Sequence, residues 1–335
     1  MLYSVVIPVY NNEPDQIKRC LDSLCGHPGP ETEVLLVDDG SDPETALFLE
    51  QIASELQNVG VFRMPHRGVS SARNYGTAKA HGKYIVYVDA DDEIIPGCLQ
   101  AFAGLLDQSS PEIVFTDIGR ERNLLSEEII YRNSSYGTVR KENLFSYFLL
   151  MNTAALRHES HWLNRAPHGR FVRSDLAKAS TFPEDLSFGE DVLWNIKLVS
   201  QAENILHIPV QTYVYHKNLK SATQTERPLF PEEVRKLFLR IRSWIPNLER
   251  EICTSAVEYF TIMMRLYVFA SAAEGRYHRY LEEARTGFWK TNIKGADPRK
   301  LKGRYFATAF LYRLHMYRIL YGMFWVYYRF IARGE

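Results

Sequence analysis

The sequence predicts an α/β protein with an open, mostly parallel, doubly wound sheet, followed by a helical C-terminal region. Continuous apolar runs at Tyr3–Val9, Glu33–Val37 and Tyr84–Val88 read as strands buried on both faces. Segments with helical apolar spacing separate these runs, and strand–helix alternation implies parallel pairing. From Pro231 onward only helical periodicity remains.

Taken in order, Tyr3–Val9 is stopped by the turn formers Asn11, Asn12 and Pro14, and Asp15–Leu24 places Ile17, Cys20, Leu21 and Leu24 on one helical face. A helix follows Pro43, a first-turn residue. Val59–Met64 is a third strand, and Ser70 is expected to N-cap a helix reaching His81. After the Tyr84 strand come a helix over 97–106 and a strand at Glu112–Phe115. Beyond Asp117 the alternation stops. A short strand is expected at Ile129–Arg132, a helix at Lys141–Met151, and an irregular, cleft-lining segment at Arg157–Ser180. A helix at Asp191–Ala202 and two strands, Ile205–Pro209 and Thr212–Tyr215, complete the pattern. The polar, proline-bearing stretch 225–231 reads as a boundary.

At 335 residues the chain can bury a sizeable core in one large domain with an appendage, or in two domains. Lys plus Arg and Asp plus Glu number 40 each, so no overall field selects nucleic acid. The four cysteines show neither Cys-x-x-Cys pairs nor zinc spacing, which fits reduced thiols. No signal-like segment precedes the first strand, and the apolar run 319–328 falls short of the ~20 residues that span a bilayer. The expectation is a cytoplasmic protein.

The strand ends carry the chemistry. Lys83–Glu93 ends a buried run abruptly in Asp89, Asp91 and Asp92. Carboxylates this close repel unless a cation or donors compensate, and Mg2+ or Mn2+ takes such oxygens together with substrate phosphates. Ligands of open α/β sheets bind beyond the carboxyl ends of the strands. A solvated turn capping the helix near Pro96 is the plainer alternative. Asp38–Asp42 likewise reads as a ligand contact or a capping turn. Arg73, near a helix start after Gly68, reads as an anion contact or a surface salt bridge.

Four segments, Ser4–Asn11, Val37–Ser41, Ser71–Gly76 and Tyr87–Asp92, resemble the family 2 glycosyltransferases of the GT-A fold. Phe188-Gly189-Glu190-Asp191 is similar to the segment that supplies the catalytic base in that family. Tyr213–His216 through Thr223 resembles its loop over the donor diphosphate. The likeness covers about residues 3–225. It implies inverting transfer from a nucleoside diphosphate sugar, expected to be a UDP-sugar. Carried over, Pro8, Val9, Tyr10 and Asp39 hold the base, and Arg73 lies near base or ribose. Asp89 and Ala90 meet the donor, and Asp91, with Asp89 and His216, ligates Mn2+ or Mg2+. Asp92 is a weaker ligand candidate. Lys217 and Lys220 touch the diphosphate, and Asp191 is the base. A strand-end histidine bonded to backbone, surface lysines and a helix-capping aspartate are the competing readings of His216, the lysines and Asp191. His66 stands where the family often has Asn.

The implied organisation is a catalytic domain over 1–225, with a nucleotide-sugar half (1–117) and an acceptor half (118–225), then a helical region over 226–335. Within it, 305–331 interleaves aromatics with arginines. Such helices rest on membrane interfaces or pack against protein; both readings stay open. On the first, the acceptor is a polyprenyl-linked glycan of surface-polysaccharide assembly, capsule or O-antigen in type, at the inner face of the cell membrane. Two rival functions are a non-catalytic scaffold and a sugar nucleotidyltransferase. The intact Asp91 and Asp191 weigh against the first, and Tyr10–Pro14, lacking a Gly-rich basic loop, against the second.

Overall fold

The computed structural model describes residues 1–25, 31–119, 137–150, 165–216, 230–264 and 275–330. They divide between two compact units. One comprises 1–144 and 161–218, the other 145–160 and 219–335.

The first unit is built on one sheet. Its strands among the described residues are β1 (Tyr3–Val9), β2 (Thr32–Asp38), β3 (Val59–Arg63), β4 (Tyr84–Tyr87), β5 (Glu93–Ile94), β6 (Ile113–Gly119), β7 (Gly137–Thr138), β8 (Arg170–Arg173) and β9 (Ile205–Val214). They lie in the order β3-β2-β1-β4-β8-β6-β9-β5, with β7 on β9. β1, β2, β3 and β4 are mutually parallel, and β6 and β9 run parallel to each other. β8 runs antiparallel to both β4 and β6, so the latter two point the same way. The fold is therefore the expected mostly parallel α/β sheet, with the reversed strand β8 inserted between β4 and β6 and the short β5 and β7 antiparallel to β9.

Helices α1 (Pro14–Cys25), α2 (Pro43–Glu55), α3 (Val69–Lys79), α4 (Cys98–Ser109), α5 (Lys141–Leu150, of which only 141–144 belong to this unit), α6 (Ser174–Ala179) and α7 (Glu190–Gln201) intervene. Val5, Ile7 and Val9 of β1 join Ile17 and Leu21 of α1 and Phe102 of α4 in one fully buried cluster. Each such side chain contributes roughly 1.5–3 kcal/mol by leaving water. α3 covers the opposite face of β1 and β2. A Cβ on Gly76 would lie 2.5 Å from Val6 and 2.9 Å from Val37, so only glycine allows this approach.

Three local expectations change. The segment Arg157–Ser180, expected to be irregular, contains β8 and α6, because Phe171 and Val172 are buried between β4 and β6. β9 is one strand rather than two. Its register jumps from Ile208 opposite Thr116 to Gln211 opposite Asp117, a bulge where exposed Pro209 has no N–H for the ladder. α3 starts at Val69 behind Gly68 at φ +93°, and Ser70 makes no cap; it lies buried inside the first turn. Strand Ile129–Arg132 lies outside the described residues.

The second unit carries α8 (Phe230–Trp244), α9 (Glu249–Met263), α10 (Arg276–Ala284), α11 (Gly287–Gly295), α12 (Gly303–Arg313) and α13 (Tyr317–Phe330). Phe260 of α9 anchors its core, with ring centroids 5.1 Å from Trp289, 5.6 Å from Tyr312 and 6.1 Å from Phe324. No helix among the described residues is long and apolar enough to cross a membrane.

Candidate active site

The parallel register sets the site. β1 pairs Val9 with Asp38 and Val6 with Tyr87, so Tyr10, Asp39 and Asp89 leave the sheet along one edge. β9 ends at the same place, because β5, immediately after the Asp89–Asp92 turn, pairs Glu93 with Val214 and Ile94 with Tyr213.

At the end of β4, Asp89 accepts from Arg73 Nη2 at 2.9 Å and meets His168 Nε2 at 3.2 Å. Burial works against its ionisation, but the charges of His168 and Arg73 outweigh it and hold the carboxyl well below the usual range. The same guanidinium reaches Asp191 Oδ1 at 3.1 Å through Nη1. Arg73 is only 3% exposed and lies 5.4 Å from the Phe182 ring centroid, so one buried cation serves two carboxylates. Asp191 sits in the first turn of α7 behind Gly189 at φ +80°. Burial pushes its carboxyl above the ordinary value, and Arg73 only partly offsets this.

Asp92 is buried and accepts from Tyr213 Oη at 2.6 Å and His216 N at 2.7 Å. Burial raises its pKa to about 6 against these bonds. The Tyr213 ring lies flat against His168, with centroids 4.7 Å apart and planes at 6°. His168 is buried, and its Nδ1 has no hydrogen-bond partner among the described residues. Asp89, Asp92 and His168 thus form a group whose ligand atoms all lie within 4.8 Å of one another. Two hard carboxylates and an imidazole suit a divalent cation.

At the other end of the edge, Tyr10 is 48% exposed and stacks on His66, with centroids 4.0 Å apart and planes at 20°. Asp39 is buried beneath them. Its carboxylate accepts from the amides of Arg67 and Gly68, both at 2.8 Å, and pairs with His66 Nδ1 at 2.9 Å. Gly40 holds φ +74°, where a Cβ would stand 2.7 Å from His66 N, so the turn that seats this pair requires glycine.

Comparison with known proteins now bears on this geometry. The Glycosyl transferase family 2 profile matches residues 4–162. Over that stretch the chain is similar to the family 2 glycosyltransferases. The glycosyltransferase EpsJ of Bacillus subtilis (strain 168), itself described as uncharacterized, is 26% identical over 245 residues, covering 71% of this chain and 67% of EpsJ. The poly(ribitol-phosphate) β-N-acetylglucosaminyltransferase TarS of Staphylococcus aureus (strain Mu50) is 25% identical over 75% of this chain, but the match covers only 42% of TarS. The minor teichoic acid biosynthesis protein GgaB of B. subtilis is 25% identical over 67% of this chain and 24% of its own length. The chain thus spans two thirds of EpsJ and less than half of TarS and GgaB. The crystal structure of S. aureus TarS 1–349 in complex with UDP-GlcNAc superposes with a TM-score of 0.66 at 19% identity, covering 100% of this chain and 93% of that one. That likeness shows a GT-A fold.

Within the first unit, the sequence-predicted residues fall into two groups. Asp89, Arg73 and Asp191 come together, although Arg73 is neither an exposed anion contact nor a surface salt bridge. Tyr10 and Asp39 share the other end with Pro8 and the buried Val9, while Ala90 is buried behind the aspartates. Asp91 and His216 lie outside the three-residue group. The backbone carbonyl of Asp91 accepts from Arg19 Nη2 at 2.7 Å, and His216 Nε2 meets Glu93 Oε1 at 2.7 Å. Lys217 and Lys220 lie outside the described residues. His168 escaped sequence reasoning. It stands in a His-, Arg- and Gly-rich stretch, but only the antiparallel seating of β8 beside β4 brings it to Asp89.

Proposed function

We propose that the chain is an inverting, metal-dependent glycosyltransferase that moves a sugar from a UDP-sugar to a hydroxyl of a glycan acceptor. The observation that carries this reading is the shared Arg73 guanidinium, which ties the strand-end Asp89 to Asp191 on the helix opposite. Donor and acceptor chemistry need such groups on the two sides of one reacting carbon. The similarity to family 2 and the solved TarS complex with UDP-GlcNAc support a UDP-linked donor.

In this reading Tyr10 and His66 offer a flat platform to the base, above the loop that Asp39 holds. Asp89, with Asp91 and His216 or with Asp92 and His168, would hold Mn2+ or Mg2+. Bound there, the cation would neutralise charge developing on the departing diphosphate. Arg73 adds fixed positive charge in a water-poor setting. Asp191, raised by burial toward the pKa of a working base, takes the proton of the acceptor hydroxyl, a role worth roughly 10²–10⁴-fold in rate. Residues 118–225 shape the acceptor side. The names of TarS and GgaB favour a cell-surface polymer as acceptor, and a polyprenyl-linked glycan fits the same chemistry. Residues 305–331 rest on the inner face of the membrane that carries it.

Release of nucleoside diphosphate from a panel of sugar nucleotides, with Mn2+ or with EDTA, tests the reading. Metal-dependent release from one UDP-sugar, lost in Asp191→Asn once an acceptor is supplied, is the expected result. Silence with every donor would favour a non-catalytic GT-A scaffold.

A further inference from the structure

The C-terminal helices of the second unit present a feature that sugar transfer does not use. A cavity of about 430 Å³ opens where the end of α10 meets the α12–α13 turn, lined by Tyr277, Leu281, Arg285, His315, Tyr317 and Arg318. Its two arginines are exposed and form no ion pair among the described residues. The Arg285 guanidinium lies 5.8 Å from the Tyr317 ring centroid, and His315 Nδ1 is 3.2 Å from Tyr317 Oη. His315 holds φ +59° in the turn, a conformation that disfavours an ordinary side chain. None of the lining residues is acidic.

The flanking helices are apolar where they meet solvent. Phe306 and Phe310 on α12 and Leu314 just after it recur every four residues, and Ile319, Trp325 and Val326 are exposed on α13. Between Asp297 and Glu335 the sequence has no acid, while Arg304, Arg313, Arg318 and Arg329 punctuate the aromatics. An exposed aromatic and aliphatic face bordered by Arg285 and Arg318 complements one occupant, a bilayer with anionic headgroups.

We infer that the Arg285–Arg318 cavity is a lipid-phosphate site, which seats an anionic phospholipid headgroup while the apolar faces of α12 and α13 enter the interface. This rests on the interfacial reading of residues 305–331. The two guanidiniums and the Tyr317 hydroxyl donate to the phosphate oxygens, and Leu281, Met316 and Ile319 meet the first acyl carbons.

Sedimentation of the full chain with vesicles tests it without any donor present. Phosphatidylcholine vesicles with about a third phosphatidylglycerol should bind the protein, and pure phosphatidylcholine should not. Arg285→Gln/Arg318→Gln should weaken binding about tenfold or more, from the usual contribution of a basic residue near an anionic surface. Lys290→Gln/Lys294→Gln removes equal charge from exposed positions elsewhere in the unit and should weaken it less. Equal loss in the two pairs, or no binding to anionic vesicles, overturns the inference. So does binding of inorganic phosphate by calorimetry without vesicle binding. If Phe310→Ser/Ile319→Ser dissolves an oligomer and leaves vesicle binding intact, a second copy covers the face and the inference fails. Soluble donor hydrolysis, measured apart, is unchanged by Arg285→Gln/Arg318→Gln, so failure here and failure of the glycosyltransferase reading are separable.

Discussion

Arg73 is a buried cation that stands between two half-buried carboxylates. Its removal strips Asp191 of its ion-pair partner and leaves Asp89 with His168 alone, and because both carboxylates keep some contact with water the cost is at most the ~3–5 kcal/mol of a fully buried pair. Arg73→Ala should therefore lower the urea midpoint of the first unit by up to that equivalent, whereas replacing an exposed arginine such as Arg67 should not. The pH behaviour follows from Asp191. As a base it works ionised, and burial raises its pKa, so kcat/KM should fall on the acid side at a pH above the ordinary carboxylate value near 3.8. With less positive charge beside it, in Arg73→Gln, that acid limb should move to higher pH. A limb at or below the ordinary value in the parent enzyme would remove Asp191 from the role. These residues were readable in advance as strand-end or helix-start carboxylates. Their common partner was not, because a helix-start arginine after a glycine looks the same whether it faces solvent or is enclosed. His168 was hidden for another reason: no local pattern marks a histidine whose partners are a carboxylate 79 positions earlier and a tyrosine 45 positions later.

At the scale of elements, the parallel strands announced themselves through unbroken apolar runs, and their polar ends marked the working edge of the sheet. β8 did not, since four residues that begin and end in arginine carry no strand signature; burial of Phe171 and Val172 between two partners makes the strand. The sheet around it is stitched by Glu112. Its carboxylate accepts from the amides of Glu203 and Asn204 and pairs with Arg173 Nη2 at 3.0 Å. Burial opposes ionisation, yet the Glu203 and Asn204 amides and then Arg173 hold its pKa below the usual glutamate value. Stability from this group is thus present above pH 4.5, its ordinary pKa, and is lost as pH falls through the lowered value. Glu112→Gln should cost about 1–3 kcal/mol at neutral pH, the scale for hydrogen bonds to a charged group. Its deficit in chemical unfolding should shrink as the pH drops below 4; a constant deficit would assign the effect to packing. Tyr213→Phe tests the junction of β9 with the turn after β4. It strips Asp92 of a donor and the Asp89 amide of an acceptor, and should weaken metal-dependent nucleotide binding more than it lowers the melting temperature.

Across the whole molecule, equal numbers of acids and bases conceal an uneven distribution. The first unit gathers carboxylates at one sheet edge, and the last helices carry cations without acids from residue 298 to 334. Sequence periodicity showed that these helices exist, but which faces they leave open depends on how Phe260, Trp289 and Tyr312 pack beneath them. The central claim is that the edge formed by Tyr10, Asp39 and Asp89 binds a nucleoside diphosphate with a divalent cation. Calorimetric titration of UDP into the full chain with Mn2+, for the parent and for Asp89→Asn, tests it most directly. Binding that requires the metal and is lost in Asp89→Asn is the predicted result. Binding unchanged by EDTA and by Asp89→Asn, or no binding with the metal, would contradict it.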